Sequence, residues 1–123
     1  MDDLQDLAAE RYCYLTTTGR RSGRPREIEI WFHLDGSSPH GTTIYMLAEG
    51  RGGANWVRNL RADPSVSVRI ADQTFPGTAR IVEGGEEELL ARRALPDKYR
   101  EGYSEDLSEW GETALPVAVD LET

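Results

Sequence analysis

From residue 27 to residue 34 the apolar side chains fall on every second position: Ile28, Ile30, Phe32 and Leu34. An extended chain throws successive side chains to opposite faces, so this spacing predicts a strand with one face buried. Segments of similar character lie on either side. Residues 12–18 are rich in aromatic and β-branched types, 42–48 are largely apolar, and 65–70 alternate. Residues 74–83 follow 65–70 after a tight Ala71-Asp72-Gln73 connection, and Val117, Val119 and Leu121 alternate at the end of the chain. Six strands are therefore expected, and the short links joining strands 1–2–3 and 4–5 make those neighbours antiparallel. Pro76-Gly77 implies a bulge or a sheet edge in the fifth strand.

Helical spacing appears in three places. Leu4, Leu7 and Ala8 suggest a short helix within residues 1–10. Trp56 and Leu60 lie four apart with Val57 beside them in 54–62, a segment ended by Asp63-Pro64. Residues 86–95 begin with Glu86, Glu87 and Glu88, favourable at the positive end of a helix dipole. Pro96 is expected to interrupt that helix, with 98–103 as a continuation. Residues 104–113 read as an acidic loop before the last strand. No βαβ unit repeats, which disfavours a doubly wound parallel sheet. The economical architecture is a single domain over 1–123, mainly β in an α+β arrangement. It is an antiparallel barrel, closed or partly closed, with two or three helices outside, because closure hides sheet edges.

Charge narrows the partners. The formal net charge is −8, which argues against nucleic acid and anionic membranes. Its distribution is uneven: residues 11–82 hold ten Arg and six acids, while 83–123 hold twelve acids and four bases. The densest basic stretch is Gly19-Arg20-Arg21-Ser22-Gly23-Arg24-Pro25-Arg26, four Arg in eight residues. It reads either as a solvated loop or as a local anion site, since the forked guanidinium suits phosphate and carboxylate oxygens. No apolar run approaches the ~20 residues of a membrane span, and the acidic N-terminus resembles no leader, so a cytoplasmic location is expected. One Cys and two His make a metal site unexpected.

Few residues suggest covalent chemistry. Cys13 sits in an apolar strand and His33 on the strand's outer face. Ser22 lacks the context of an activated nucleophile. Gly50-Arg51-Gly52-Gly53 precedes a helix, as a plain turn or as an amide cradle for an anion. Trp56 and Asn59 share a helix face. Tyr99 and Tyr103 are four apart. A chain so equipped would draw its chemistry from a bound cofactor.

Two longer blocks carry a likeness. Tyr14-Leu15-Thr16-Thr17-Thr18-Gly19-Arg20-Arg21-Ser22-Gly23-Arg24-Pro25-Arg26 is the first. Ala48, Gly52-Gly53, Trp56, Asn59-Leu60, Ala62 and Pro64 form the second. A weaker third block is Pro96, Tyr99 and Tyr103 before Leu115-Pro116-Val117-Ala118-Val119. Together they resemble the deazaflavin (F-420)-dependent nitroreductase family, flavin/deazaflavin oxidoreductases related to the pyridoxamine-phosphate-oxidase-like FMN-binding barrel. The resemblance implies a six-stranded split β-barrel and hydride transfer from reduced coenzyme F-420 to a small enone, quinone or nitro compound. The alternatives are FMN in the same barrel, or a non-catalytic carrier of a cofactor or lipid-like ligand. It further implies that Arg21 and Arg26 meet the cofactor's phosphate and acidic tail, that Ser22 and Gly23 add loop contacts, and that Arg20 belongs to the same cofactor-binding set. Ala48, Gly52, Gly53, Trp56 and Asn59 would border its ring, and Tyr99 and Tyr103 the substrate side. A homodimer with no nucleic acid and no metal completes the expectation. The segment between Gly-Gly and Trp56 is shorter than in the nitroreductase pattern.

Overall fold

A computed structural model describes residues 3–102 and 106–122. The element order is α1 (Asp3–Ala8), β1 (Cys13–Thr18), β2 (Pro25–Ile30), β3 (His33–Ser38), β4 (Gly41–Ala48), a one-turn 3-10 segment (Arg51–Gly53), α2 (Asn55–Ala62), β5 (Ser65–Ile70), β6 (Gln73–Ile81), α3 (Gly85–Tyr99), α4 (Ser108–Thr113) and β7 (Leu115–Leu121). All seven strands join one antiparallel sheet in the order β2-β1-β5-β6-β7-β4-β3.

The strand count is seven, not six, because the alternating segment 27–34 is two strands. β2 lies at one edge of the sheet and β3 at the other, and only Trp31 and Phe32 separate them. The chain therefore creases there and carries one edge around to the other, which curls the sheet into a split barrel. The period-two pattern survives the crease, since Ile28, Ile30, Phe32 and Leu34 all face the same core. Alternation reports which face is buried, not which neighbour a strand pairs with.

That inner core gathers Cys13 and Leu15 from β1, Ile44 and Met46 from β4, Val66, Val68 and Ile70 from β5, and Val117 and Val119 from β7. Helix α2 adds Val57 and Leu60, and α1 adds Leu7. A smaller core lies outside the barrel. The outward residues Tyr45 and Leu47 of β4 and Ala118 of β7 pack on Ala91, Leu95 and Tyr99 of α3. β4 is thus buried on both faces, which explains its unbroken apolar run. Each fully buried aliphatic or aromatic side chain contributes roughly 1.5–3 kcal/mol relative to exposure.

Three local expectations are corrected. β6 is interior rather than an edge or bulge, with regular register on both sides. Pro76 is tolerated because its backbone faces the end of β7: its carbonyl accepts from Glu122 N at 2.8 Å just past that strand. Gly77 beside it is required by close approach, since a Cβ there would lie 2.7 Å from Val119 Cγ1 and 2.9 Å from the Asp120 carbonyl. Helix α3 runs through Pro96 without a break. Gly111 of α4 packs at that turn, where a Cβ would meet Pro96 Cγ at 2.7 Å and the Arg92 carbonyl at 3.1 Å. Residues 108–113, expected as loop, form α4 itself.

The crease leaves the ladders, so its polar groups need other partners. The end of α3 supplies them. Phe32 N donates to Tyr99 Oη at 2.9 Å, and Lys98 Nζ donates to the Phe32 carbonyl at 2.9 Å. Tyr99 Oη in turn donates to the Arg11 carbonyl at 2.8 Å.

Candidate functional site

The β1–β2 turn is built to hold its arginines in place. Gly19 N donates to the Arg24 carbonyl, Gly23 N to the Gly19 carbonyl, and Arg24 N to Ser22 Oγ. Gly23 has φ +71°, a left-handed value that a glycine adopts without strain. Arg20 leans away from the turn onto α2. Its guanidinium donates to Asn59 Oδ1 at 2.8 Å and Asn55 Oδ1 at 3.3 Å, and its backbone N donates to Asn59 Oδ1 at 3.2 Å. Asn59, only 5% exposed, completes the link by donating from Nδ2 to Thr17 Oγ1 at 3.2 Å. The helix and the turn are therefore one polar unit, and Asn59 is its hinge pin.

Between them lies a cleft of about 390 Å³, lined by Thr17, Arg20, Arg21, Ser22, Arg26 and Asn59 among others. Its lining holds three arginines and, among the described residues, no acid. Ile28 and Trp56 belong to this cleft and also to a larger one of about 930 Å³. The larger arm runs past Ala48, Trp31 and Trp110, with Tyr12 on its wall. The two arms form one groove across the β2 edge, with guanidinium groups at one end and indoles at the other.

The walls of the aromatic arm are braced. Trp31 lies flat on Tyr99, ring centroids 4.2 Å apart and planes 3° apart, and meets Trp110 edge-on at 5.5 Å. Arg51, at φ +51°, donates to the Thr113 carbonyl and ties the turn after β4 to the end of α4.

Most expected site residues come together here: Arg20, Arg21, Ser22, Arg26, Trp56 and Asn59 line the basic arm, and Ala48 and Trp56 the aromatic one. Others do not. Gly23 shapes the turn without lining the groove. Gly52 and Gly53 lie outside it because the 3-10 turn directs them away; a Cβ on Gly52 would approach only Arg61, at 3.9 Å. Gly50 takes the lining position instead. Tyr99 is wholly buried, its hydroxyl already engaged at the crease, so it reaches the groove only through Trp31. Burial pushes its phenol up to about 12. Tyr103 lies outside the described residues. Asn59 supports the arginine turn rather than the region beside Ala48.

Trp31 and Trp110 join the site without any motif that marks them in the sequence. For Trp31 the available signal is an indole opposite the buried face of an alternating strand, since solvent alone gives no reason for one there.

Other polar groups are accounted for internally. Arg80 makes a two-pronged bond to Glu87 at 2.6 Å and bonds Asp120 at 2.8 Å, while Tyr45 Oη donates to Glu87 and Thr43 Oγ1 to Asp120. The Arg80 guanidinium, with help from Tyr45, holds the Glu87 carboxyl down at about 2 despite partial burial. Burial pushes the Cys13 thiol up to about 12, which leaves it inert, and lowers His33. Among the described residues no cluster of three or more His, Cys, Asp or Glu could hold a metal ion, and no helix is long and apolar enough to cross a membrane.

The family model described as F420H(2)-dependent quinone reductase matches residues 5–122. An F420H(2)-dependent quinone reductase of Mycobacterium tuberculosis is 29% identical over 73 residues, 56% of this chain and 45% of that protein. The chain thus spans about half the length of the curated relatives it matches. The solved structure of an F420-H2 dependent reductase has 27% identity and a TM-score of 0.66, covering 91% of this chain and 94% of that one. A candidate pyridoxamine 5′-phosphate oxidase of Listeria innocua, at 16% identity and TM-score 0.69 over 98% of this chain and 91% of that one, shows the fold alone.

Proposed function

Because the chain belongs to the F420H(2)-dependent quinone reductase family, we propose that it binds coenzyme F-420 in this groove and reduces a small quinone, enone or nitro acceptor. The observation that carries the reading is the single groove with an acid-free arginine arm joined to an indole-walled arm. The donor set fits the group. A deazaflavin is a flat ring on a long acidic tail; the tail needs cations without competing carboxylates, and the ring needs flat apolar walls. When bound, the deazaflavin supplies the hydride.

The chain's own residues do the rest. Arg21 and Arg26 would hold the acidic tail, and Arg20, pinned by Asn55 and Asn59, would keep the turn in position to receive it. Ile28, Ala48 and Trp56 would border the ring. Trp31 and Trp110 would exclude water and orient the acceptor, which is the main task where no acid–base pair is required. A homodimer, the assembly that the split-barrel resemblance implies, completes the proposal.

Calorimetry with F-420 and with FMN tests the cofactor. F-420 should bind more tightly, and Arg21→Ala with Arg26→Ala should weaken it by roughly 1.5–3 kcal/mol for each charge-assisted hydrogen bond removed, less at high salt. Tighter binding of FMN by about tenfold, near 1.4 kcal/mol, or unaltered F-420 affinity in the double variant, would refute it. Absorbance loss of the reduced coenzyme on adding a naphthoquinone tests turnover.

A further inference from the structure

The two arms of the groove differ in charge as sharply as in chemistry. The basic arm holds Arg20, Arg21 and Arg26. The aromatic arm is rimmed by Glu29, Glu49, Asp106 and Glu109, and among its described lining residues there is no Arg, Lys or His. Two of these acids accept hydrogen bonds from neutral groups: Glu29 from the Tyr14 hydroxyl, and Asp106 from the amide and hydroxyl of Ser108. Neutral donors leave the negative charge in place. All three tryptophans of the chain stand in this arm, two of them fixed nearly at right angles to each other by packing. The arm is thus a preformed slot for a flat ring whose described lining carries four carboxylates and no cation, their charge offset in part by Arg51, bonded to the Thr113 carbonyl, and by Arg100, whose charge acts on Asp106.

We infer that the aromatic arm is the acceptor's site and that it selects planar acceptors carrying no negative charge. The inference rests on the reductase reading above and deepens it. An anionic ring would have to enter past four carboxylates with no cation among the described lining residues to meet it, whereas an uncharged or cationic ring gains the indole faces without electrostatic penalty. The same carboxylates keep the cofactor's acidic tail out of this arm and leave the arginine arm as its favourable seat. Four partly screened charges around one opening should weaken an anionic ligand by about tenfold or more at low salt.

The position of the tryptophans makes the test direct, because indole emission reports this groove alone. The protein without deazaflavin is titrated with para-naphthoquinone and with its monosulfonate, each followed by fluorescence quenching. The neutral quinone should quench saturably with a Kd about tenfold lower than the sulfonate. The gap should narrow severalfold when salt is raised to about 0.5 M, where the screening length falls to a few ångströms. Glu49→Gln with Glu109→Gln should shrink the ratio of the two Kd values severalfold. The salt series on the unaltered protein reads the same charge effect should the double variant fold poorly. Equal affinities at low salt, a gap indifferent to salt, or no saturable quenching by either quinone would overturn the inference. Coenzyme oxidation is a separate readout: if neither quinone oxidises reduced F-420 while the charge-dependent gap in binding persists, the reductase reading falls and the site's charge selectivity stands.

Discussion

Replacing Asn59 by Ala should loosen the fold and the arginine turn together. The side chain makes three hydrogen bonds, two accepted from Arg20 and one donated to Thr17 Oγ1. A neutral bond contributes a net 0.5–1.5 kcal/mol, roughly, and a charge-assisted one about 1.5–3. The Arg20 guanidinium is exposed and can rehydrate, which discounts its share. Thr17 is only 1% exposed, so its hydroxyl loses a partner that water replaces poorly. The sum is a loss of about 2–4 kcal/mol, and for a domain of this size a fall in Tm on the order of 10 °C. Urea denaturation gives the free energy, and Thr17→Val completes a double-mutant cycle whose coupling energy isolates the Asn59–Thr17 bond. Released from α2, Arg20 no longer holds the turn, so affinity for F-420 should fall as well, by about tenfold, the worth of one charge-assisted bond. A melting temperature within about 2 °C of the parent would refute the burial argument. A large loss of stability with affinity unchanged would refute the coupling between helix and turn.

Tyr99→Phe should cost about 2–4 kcal/mol by stranding the Phe32 amide and the Arg11 carbonyl, measured by urea denaturation, with Trp31 emission altered in the folded variant. Arg80→Met should destabilise most above about pH 5. Glu87 has a folded pKa of about 2, below its unfolded value of 4.5, so the stability it brings is present above the unfolded value and lost as pH falls through 2; the gap between parent and variant, read as urea midpoint against pH, should close over that range. Lys98, the one lysine of the chain, has its ammonium lowered to about 8 by burial. Reductive methylation with a carbon-13 label should show its methyl resonance titrating near 8 rather than 10.5. As a lysine with a depressed folded pKa it should make stability rise, not fall, as pH climbs between those two values.

Much of the barrel is legible in the sequence because strand alternation and burial are the same physical fact. The parity of Ile28, Ile30, Phe32 and Leu34 marks the inner face even across a crease that parity cannot show. Local stiffness argued without its neighbours is what misleads. Pro96 should break a helix and Pro76 should mark an edge, yet α3 runs through Pro96, against which the Gly111 turn packs, and the backbone of Pro76 faces the end of β7, where its missing N–H is harmless. The site divides the same way. Arginine density points to the basic arm because charge is visible residue by residue. The aromatic arm joins Trp31, Trp56 and Trp110 from three distant segments, and no spacing rule joins them. The four-residue step from Tyr99 to Tyr103 suggests a shared helix face at the surface of the site; the Tyr99 hydroxyl is instead held by the crease.

The crease also decides what a hydrogen-exchange experiment on this molecule would measure. Most slow amides in a barrel are slow because a strand partner holds them, and they open when the sheet opens. Phe32 is different: its amide sits between two strands and is held by a side chain from the far end of α3. Its exchange rate therefore times the undocking of a helix rather than the parting of strands. If that docking is weaker than the sheet, Phe32 will exchange ahead of Cys13 and Leu15, though it is as deeply buried as they are. Trp31, next in the chain and stacked on the same Tyr99, would lose its support in the same event, so one amide clock would run for both the seam of the barrel and the wall of the groove.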